Sequence, residues 1–261
     1  MKTVVVTGAA GGMGAAVCAG LKQAGWEVFG LDIRQTPGLE GAVCDVTDPA
    51  SVEAAARAFR EGHDRLDAIV HTAGIYDLDA FTEIEDERFR RIFEINVFGV
   101  YRITRAFTPF MEPGGRITVI TSELAPLDPL PFTGIYAVTK AALEKYCYSL
   151  RTELSLRGIS VSIVRPGAVK TGLLNVSTTA LEKFVSRTQY YQPNARRFYQ
   201  IVNSVESRSV PPERIAELVQ RSLNAKKPRY VYNINRNFLL LLLSALPDHL
   251  QTWILQRILR P

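Results

Sequence analysis

The chain has 261 residues, 47% of them hydrophobic, and a formal net charge of +5 at pH 7. This length and apolar content predict one large core in a single domain, residues 1–261, and no repeat or low-complexity linker divides the sequence. The positive charges are scattered along the chain and form no concentrated basic face, which argues against nucleic-acid binding.

The amino end predicts a strand, a glycine-rich turn and a helix. Residues 2–7 are a β-branched run typical of a buried strand, and an apolar helical stretch extends to about Ala24. Between them lies the turn Gly8-Ala-Ala-Gly11-Gly12-Met13-Gly14, with Gly8, Gly12 and Gly14 as the expected contributors. Glycines allow the backbone to approach a pyrophosphate closely, and the helix start offers N–H groups to that anion. The turn therefore predicts a dinucleotide site, although a plain strand-to-helix connection would have a similar sequence.

The second predicted strand, residues 27–31, ends next to Asp32. An acidic residue about twenty positions after the glycines can accept hydrogen bonds from the adenosine ribose and would repel a 2′-phosphate. Asp32 therefore favours NAD as the cofactor. Arg34 follows two positions later and could instead bind a 2′-phosphate, so NADP remains the alternative.

The rest of the sequence alternates between predicted helices and apolar strands. The helices cover residues 49–60, 85–111 and 134–156, and the strands that follow them cover 66–71, 116–121 and 159–164. Such alternation predicts an α/β fold of the Rossmann type, a doubly wound parallel sheet with helices on both faces. Ligands bind such a sheet at the carboxyl ends of its strands, where the glycine turn, Ser122 and Pro166-Gly167 are expected to converge.

Tyr136 and Lys140 lie four residues apart at the start of the predicted helix 134–156, so their side chains share one helix face. A phenol has a pKa of about 10 and exchanges protons poorly near neutrality. A fixed neighbouring cation favours the phenolate and is expected to lower the phenol pKa toward working pH. The pair therefore predicts a general acid/base that exchanges a proton with an alcohol or carbonyl group.

These features together resemble the short-chain dehydrogenase/reductase family from about Lys2 to Tyr232, with several motifs in the family's order. The motifs are the TGxxxGxG turn at Thr7-Gly8-Ala-Ala-Gly11-Gly12-Met13-Gly14, Asp45-Val46 on the adenine side, His71-Thr72-Ala73-Gly74 after the fourth strand, Asn96, Ser122, Tyr136 with Lys140, and Arg165-Pro166-Gly167-Ala-Val169-Lys-Thr171 on the nicotinamide side. The resemblance implies an NAD(P)-dependent oxidoreductase that holds its cofactor with these segments.

The resemblance also implies catalytic roles for four residues. Tyr136 would transfer the proton while the substrate carbon exchanges hydride with the nicotinamide, and Ser122 would hydrogen-bond the reacting oxygen. Lys140 would lower the tyrosine pKa and hold the nicotinamide ribose. Asn96 would position a water that links Lys140 to solvent.

Two positions depart from the family pattern. His71-Thr72 replaces the usual pair of asparagines, for which we expect altered local hydrogen bonding and retained activity. The interval from Ser122 to Tyr136 is one residue longer than the commonest spacing, so Thr121 competes with Ser122 for the role of the catalytic serine.

Residues 172–208 correspond to the variable substrate lid of the family. The lid contains apolar and aromatic residues with interleaved cations: Leu173, Leu174, Phe184, Tyr190, Tyr191, Phe198 and Tyr199, with Lys183, Arg187, Arg196 and Arg197. This composition predicts an apolar pocket with a basic rim, suited to a lipophilic alcohol or ketone such as a steroid, retinoid or acyl chain. The alternative is that the aromatic residues pack the lid against the core while the cations face water.

The carboxyl-terminal extension, residues 236–261, contains an apolar run at 238–246 and then a predicted amphipathic helix with Leu250, Trp253, Ile254 and Ile258 on one face. The run is too short to span a bilayer, which takes about twenty residues. The extension resembles that of 17β-hydroxysteroid and retinol dehydrogenase-like members. It could pack on the core or another subunit, cover the substrate entrance, or make a peripheral membrane contact.

The remaining expectations concern compartment, assembly and other functions. Cys18, Cys44 and Cys147 form no CxxC group and the three histidines are far apart, which predicts free thiols, a cytoplasmic protein and no metal site. Helices 96–111 and 136–156 are expected to pair in a homodimer or homotetramer, as the family often does. Three other functions stay open: an NADP-dependent carbonyl or 3-oxoacyl-thioester reductase, a non-catalytic dinucleotide-binding sensor, and a membrane-attached partner in lipid processing.

Overall fold

The computed structural model describes residues 1–170, 172–206 and 209–260. Among the predicted site residues, Thr171 lies outside the described residues, as do the side chains of Leu173 and Leu174 in the lid. The strands are β1 (Lys2–Thr7), β2 (Trp26–Asp32), β3 (Gly41–Val43), β4 (Leu66–His71), β5 (Met111–Ile120), β6 (Ser160–Pro166) and β7 (Val231–Ile234). The α-helices are α1 (Gly12–Gln23), α2 (Pro49–Gly62), α3 (Asp86–Phe93), α4 (Gly99–Phe107), α5 (Gly134–Ser155), α6 (Gly172–Arg187), α7 (Gln192–Glu206), α8 (Glu213–Asn224), α9 (Phe238–Ser244) and α10 (Asp248–Leu259).

The strands form one parallel sheet in the order β3-β2-β1-β4-β5-β6-β7. The chain runs outward from β1 to β3 and then returns to place β4 beside β1, so the direction of strand addition reverses between β1 and β4. Thr7 is level with His71 at the carboxyl ends of this pair. Open α/β sheets bind ligands in the crevice at such a reversal. The predicted doubly wound fold is confirmed.

Helices cover both faces of the sheet because its strands are apolar on both sides. Helices α1 and α8 pack on one face, where Val17 and Ile215 are fully buried. Helices α2, α4 and α5 pack on the other face with Phe59, Ile103 and Leu143. The strand interiors are thereby filled with apolar side chains, which leaves the strand ends and loops to supply polar groups for a site.

The predicted helix over residues 85–111 is wrong in its continuity and in its end. A π-helical turn, Glu94–Phe98, separates α3 from α4 and contains Asn96. This wider turn occurs where the Asn96 amide pairs with both the N–H and the C=O of Ile75. The helical stretch then ends in a 3-10 turn, Thr108–Phe110, because Pro109 lacks the N–H needed to continue a helix, and the next residue already belongs to β5.

The two edge strands, β3 and β7, were not predicted from the sequence. Strands β3 and β7 have only three and four residues, too few to give a periodic signal in the sequence.

His71 is buried at the end of β4, with its Nε2 atom 3.1 Å from the hydroxyl of Thr104 in α4. Burial lowers the pKa of His71 to about 3, so the ring is neutral at physiological pH. The departure from the family asparagine thus changes local hydrogen bonding.

Helices α9 and α10 form the carboxyl-terminal extension. Most of the apolar face predicted for α10 is exposed instead of packed on the protein. Its buried residues are Gln251 and Leu259, whereas Trp253 is 60% exposed. Gln251 Nε2 donates to Asp128 Oδ2 at 3.0 Å and to the carbonyl of Leu246 at 2.9 Å. The apolar face of α10 therefore points outward. None of the helices in the described ranges has the length and hydropathy of a membrane-spanning segment.

Candidate active site

The glycine turn brings the carboxyl end of β1 into close contact with the end of β4. Gly8 has a φ of +69°, and a Cβ added to it would lie 2.8 Å from the backbone nitrogen of Ala73. A Cβ on Gly14 would lie 2.0 Å from the carbonyl oxygen of Gly8, so neither position accepts a side chain. Gly11, Gly12 and Met13 lead into α1, which has no side-chain cap. The first N–H groups of α1 are therefore available, and the cradle fits the pyrophosphate of a dinucleotide.

Asp32 lies at the end of β2 beside the glycine turn. Its Oδ2 atom accepts a hydrogen bond from Ala10 N at 3.0 Å, and its Oδ1 atom accepts one from Arg34 N at 3.1 Å. The exposed Arg34 guanidinium lies 3.8 Å from the same Oδ1 atom. The two residues proposed to distinguish a ribose hydroxyl from a 2′-phosphate are thus neighbours. The Asp32 carboxylate is largely buried beside the glycine turn, and the Arg34 guanidinium is exposed to solvent.

Hydrogen bonds between strand ends define the crevice around this turn. Thr72 Oγ1 donates to the Thr7 carbonyl at 2.6 Å, and Ala73 N donates to Thr7 Oγ1 at 3.3 Å. Farther along the sheet edge, Asp45 is exposed and its Oδ1 atom accepts from both the N–H and the hydroxyl of Thr47, while Val46 is buried. The structure therefore gathers most of the predicted cofactor residues along one edge of the sheet.

Ser122, Tyr136 and Lys140 meet just beyond the end of β5. Tyr136 and Lys140 lie on successive turns at the start of α5, and Lys140 Nζ is 5.6 Å from the centre of the Tyr136 ring. Lys140 Nζ donates to the carbonyl of Ile120, the last residue of β5, at 3.2 Å. The Ser122 hydroxyl lies close enough to the phenol of Tyr136 to lower its pKa. Ser122 and Lys140 are buried, and the Tyr136 ring keeps part of its surface exposed.

Asn96 faces this group from the π-helical turn. Its Oδ1 atom accepts from Ile75 N at 2.8 Å, and its Nδ2 atom donates to the Ile75 carbonyl at 2.9 Å and to Thr139 Oγ1 at 3.2 Å. A Cβ built on Gly74 would lie 3.2 Å from Asn96 Oδ1 and 3.6 Å from Lys140 Nζ, so these residues surround one small space. Both amide hydrogens are engaged, which leaves one acceptor position on Oδ1 for the predicted water.

Burial shifts the two central pKa values in opposite directions. Desolvation raises the pKa of the Tyr136 phenol to about 12, and the nearby Ser122 hydroxyl lowers it only in part. Desolvation also lowers the pKa of the Lys140 ammonium to about 8, against the raising effects of Cys147 and Glu144. The phenol is therefore protonated at neutral pH, in contrast to the expected lowering of its pKa by Lys140.

Glu144, one turn after Lys140 on α5, is a residue that the sequence analysis missed. Arg165 of β6 binds it through Nε at 2.7 Å and through Nη2. Thr121 Oγ1 donates to Glu144 Oε1 at 2.9 Å, so the Thr121 hydroxyl is occupied away from the phenol and Ser122 is the one that contacts Tyr136. The only sequence signal for Glu144 is its spacing of four residues from a lysine.

Glu123 is a second missed residue, and it joins the nicotinamide-side segment to the carboxyl-terminal extension. A Cβ on Gly167 would lie 2.9 Å from Glu123 Oε1, and Asn237 N donates to Glu123 Oε2 at 2.6 Å. Burial raises the pKa of Glu123. Pro166 ends β6, and Val169 pairs with Val210 in an isolated bridge. The first residues of the extension thus contact Glu123, which directly follows Ser122 in the sequence.

The lid packs against the core through its aromatic residues. Phe184 and Phe198 are buried against Phe132, with ring centroids 4.8 Å and 5.7 Å apart. Arg187 Nη2 lies 2.7 Å from the Oδ2 atom of buried Asp79. Among the described side chains, the exposed members of the predicted basic rim and pocket are Lys183, Arg187, Tyr190, Arg196 and Arg197. For Phe184 and Phe198 the alternative of core packing is therefore the observed one.

Comparisons with known proteins agree with this geometry. The profile of the family described as short chain dehydrogenase matches residues 2–182. Human 17-beta-hydroxysteroid dehydrogenase type 1 is 33% identical over 220 residues, and the match covers 81% of the chain but only 65% of the length of that relative. The uncharacterized oxidoreductase YbbO of Escherichia coli K12 is 28% identical, with 98% of the chain and 94% of that protein covered. Among solved structures, a short-chain dehydrogenase from Streptomyces avermitilis has a TM-score of 0.76 and 27% identity over 90% of this chain and 88% of that chain.

We expect Lys140→Met to raise the thermal stability of the protein measured without added dinucleotide. The native pKa of Lys140 is about 8, whereas a lysine in an unfolded chain titrates at about 10.4. The unfolded state therefore binds more protons between these values, so the lysine's contribution to stability rises with pH through this window. Below it, the buried ammonium costs about 3 kcal/mol.

Calorimetry from pH 7 to pH 10 tests this expectation. The Lys140→Met protein should be the more stable one at pH 7, and its advantage should shrink as the pH rises. The matched control is Lys145→Met, because Lys145 is exposed on the same helix. An advantage that stays constant over the whole range would contradict the lowered pKa of Lys140.

Proposed function

Because the chain belongs to the short chain dehydrogenase family, we propose that it is an NAD-dependent enzyme that transfers hydride between the nicotinamide and a secondary alcohol or ketone of a lipophilic substrate. Membership makes it an oxidoreductase that uses a nicotinamide dinucleotide. One observation carries the proposal: Tyr136 lies beside buried Lys140 and next to Ser122, at the same sheet edge as the glycine cradle.

Each residue of this group has a distinct task in the proposed mechanism. The nicotinamide, when bound, accepts or supplies the hydride. The Ser122 hydroxyl holds the substrate oxygen and stabilises the charge that develops on it. Tyr136 gives its proton to that oxygen in reduction and takes the alcohol proton in oxidation. Lys140 holds the nicotinamide ribose and offsets the charge of the phenolate, and Asn96 offers its remaining acceptor position to a water that connects Lys140 to solvent.

The raised pKa of Tyr136 gives the two directions different pH dependences. With a pKa of about 12 the phenol is protonated across the physiological range and ready to donate in reduction. Oxidation requires the phenolate, whose fraction increases about tenfold per pH unit below that pKa. The rate of oxidation is therefore expected to increase with pH, whereas the proton donor for reduction is fully present near neutrality.

We assign the parts of the dinucleotide to residues along the carboxyl-end edge of the sheet. The pyrophosphate is assigned to the turn from Gly8 to Gly14, and the adenosine ribose to Asp32. The remaining contacts are assigned to Thr7, Asp45, Val46, Thr72, Ala73 and Gly74 on the adenosine side and to Tyr136, Lys140, Pro166, Gly167, Val169 and Thr171 on the nicotinamide side. NAD is preferred because the Asp32 carboxylate occupies the inner position and would repel a 2′-phosphate, while Arg34 is left outside.

A lipophilic substrate is supported by the surroundings of Tyr136. The Tyr76 ring meets the Tyr136 ring edge-on, with centroids 4.7 Å apart. The beginning of the carboxyl-terminal extension contacts Glu123, the residue next to Ser122, through Asn237 N. The extension then continues into α9, in which only Ser244 is polar. Human 17-beta-hydroxysteroid dehydrogenase type 1 is named for a steroid substrate. A steroid, retinoid or acyl chain would meet apolar surface on several sides of the reacting group.

The extension is also proposed to contact a membrane surface peripherally. Leu239 of α9 and Trp253 of α10 are 69% and 60% exposed, and Arg257 and Arg260 are exposed at the end of the chain. An outward apolar face flanked by cations suits the interface of a bilayer that contains anionic lipids.

Exposed aromatic residues support a homodimer or homotetramer as the assembly. Phe98, Tyr101 and Tyr148 lie exposed on the π-helical turn, α4 and α5, the stretch of chain expected to pair with a second copy. Aromatic residues are enriched in such interfaces. Light scattering of the full chain gives the assembly, and a monomer at micromolar concentration would rule this arrangement out.

We expect Tyr136→Phe to reduce turnover by about 10²–10⁴-fold and to leave dinucleotide binding intact, because only the proton-transferring hydroxyl is removed. Absorbance of the reduced nicotinamide measures turnover on a panel of steroids, retinoids, acyl thioesters and small alcohols, and its fluorescence measures binding. Tyr148→Phe is the matched control on the exposed side of α5. Unchanged turnover in Tyr136→Phe would contradict the mechanism, and binding without turnover of any substrate would favour the sensor alternative.

We expect Asp32→Asn to weaken NAD binding and strengthen NADP binding, each by about tenfold, or 1.4 kcal/mol. The asparagine amide keeps only one of the two hydrogen bonds that the carboxylate accepts from Ala10 N and Arg34 N, and it no longer repels a 2′-phosphate. Fluorescence titration with both reduced dinucleotides measures the change. In Arg34→Ala the NADP affinity should fall while the NAD affinity is kept. Equal preference of the Asp32→Asn and native proteins for NAD would contradict the assignment of Asp32.

We expect the double change Leu239→Gln and Trp253→Gln to abolish flotation of the protein with anionic vesicles, since both side chains are exposed and apolar. Vesicle flotation followed by a melting curve separates lost binding from lost folding. The control is Leu156→Gln, because Leu156 is exposed outside the extension. Absence of native protein from the floating fraction would contradict the membrane contact.

A further inference from the structure

Three side chains that can bind metal meet at the sheet edge opposite the candidate active site. Glu27 lies near the start of β2, Glu40 immediately precedes β3, and His63 lies between α2 and β4. His63 Nε2 is 3.7 Å from Glu27 Oε1 and 3.8 Å from Glu40 Oε1. All three residues therefore lie at or just before the amino ends of strands, whereas the candidate active site lies at the carboxyl ends.

The imidazole of His63 is held rigidly and presents a defined atom to the two carboxylates. Its side chain is only 7% exposed, its ring stacks on Phe59 at 4.7 Å, and it meets Phe29 edge-on at 5.8 Å. Nδ1 lies 3.2 Å from the carbonyl of Phe59, and because a carbonyl only accepts, Nδ1 carries the proton. Nε2 is therefore the ring atom that faces Glu27 and Glu40. Histidine ligands of metals are usually oriented by such a second hydrogen bond.

The glutamates are also positioned from the outside of the cluster. Glu27 Oε2 accepts a hydrogen bond from Thr3 Oγ1 at 2.9 Å, which leaves its Oε1 atom directed at His63. The Glu40 carbonyl accepts from Gly30 N at 2.7 Å, which fixes the backbone of Glu40 beside β2. In the described part of the chain, neither carboxylate has a lysine or arginine nitrogen within 4.0 Å. Two carboxylates and an imidazole therefore converge with no lysine or arginine among them in the described part of the chain.

We propose that Glu27, Glu40 and His63 bind a zinc ion, with water completing its coordination. The three ligand atoms lie within 4.8 Å of one another, and a tetrahedral site with bonds of about 2.0–2.1 Å needs them about 3.4 Å apart. Glu40 is 56% exposed in its side chain and can close this difference by a rotamer change. One imidazole with two carboxylates suits zinc better than magnesium or calcium, which prefer oxygen ligands alone.

The bound ion ties the loop between β2 and β3 to the end of α2. That loop begins directly after Asp32, which belongs to the cofactor edge, and ends at Glu40. The ion closes the loop at its far end and stabilises the folded chain by binding it selectively. The site stands apart from the hydride-transfer chemistry, so its test does not depend on the proposed function.

The test is a zinc titration of the full chain after treatment with a chelator and desalting. Competition with a chromophoric chelator at neutral pH should show one tightly bound Zn²⁺ per chain, and added Zn²⁺ should raise the melting temperature. Glu40→Gln and Glu27→Gln should each weaken binding at least about tenfold. Glu61→Gln and His249→Gln are the matched controls, since both residues are exposed and lie outside the cluster.

The outcomes separate a metal site from an ion pair. Zinc bound equally well by native protein and by Glu40→Gln would place the ion elsewhere, for example on a cysteine thiol, and would overturn the proposal. No binding by a folded native protein would also overturn it. Because Glu40 is exposed, Glu40→Gln should keep the native melting temperature in chelator, which excludes misfolding as the reason for weaker binding.

Discussion

The close contact between the carboxyl ends of β1 and β4 is the constraint on which the rest of the molecule depends. Thr7 is bonded to both Thr72 and Ala73, and Gly8 follows with its backbone against Ala73. This contact fixes the point at which strand order reverses, and every group of the candidate active site is placed relative to it. A slip of one residue between these strands would turn their side chains to the opposite faces of the sheet.

Local patterns in the sequence predict the sheet, and they point to residues that the fold brings to one edge of it. The glycine spacing, the alternation of helices and strands, and the Tyr136 and Lys140 pair all depend on neighbours within a few positions. Features that depend on distant segments were missed. Glu144 is held by Arg165 from another strand, Glu123 is held by Asn237 near the end of the chain, and no local pattern records either contact.

Dependence on distant parts of the chain also explains why the pKa of Tyr136 and the orientation of α10 could not be predicted from local sequence. The spacing of Tyr136 and Lys140 shows that they share a helix face, but the balance between a neighbouring cation and desolvation depends on how deeply the fold buries them. The orientation of α10 depends likewise on Gln251 finding Asp128 in a loop more than a hundred residues earlier. The sequence left open which side of α10 faces the protein, and this contact together with the burial of Leu259 leaves Trp253 exposed.

The hydrogen bond from Gln251 to Asp128 also joins the outer surface of the protein to its reacting centre. Asp128 lies in the segment between Ser122 and Tyr136, so a displacement of α10 acts on the loop that separates the two residues. The bond is kept only where α10 and this loop fit each other, so the position of the helix and the conformation of the loop constrain one another.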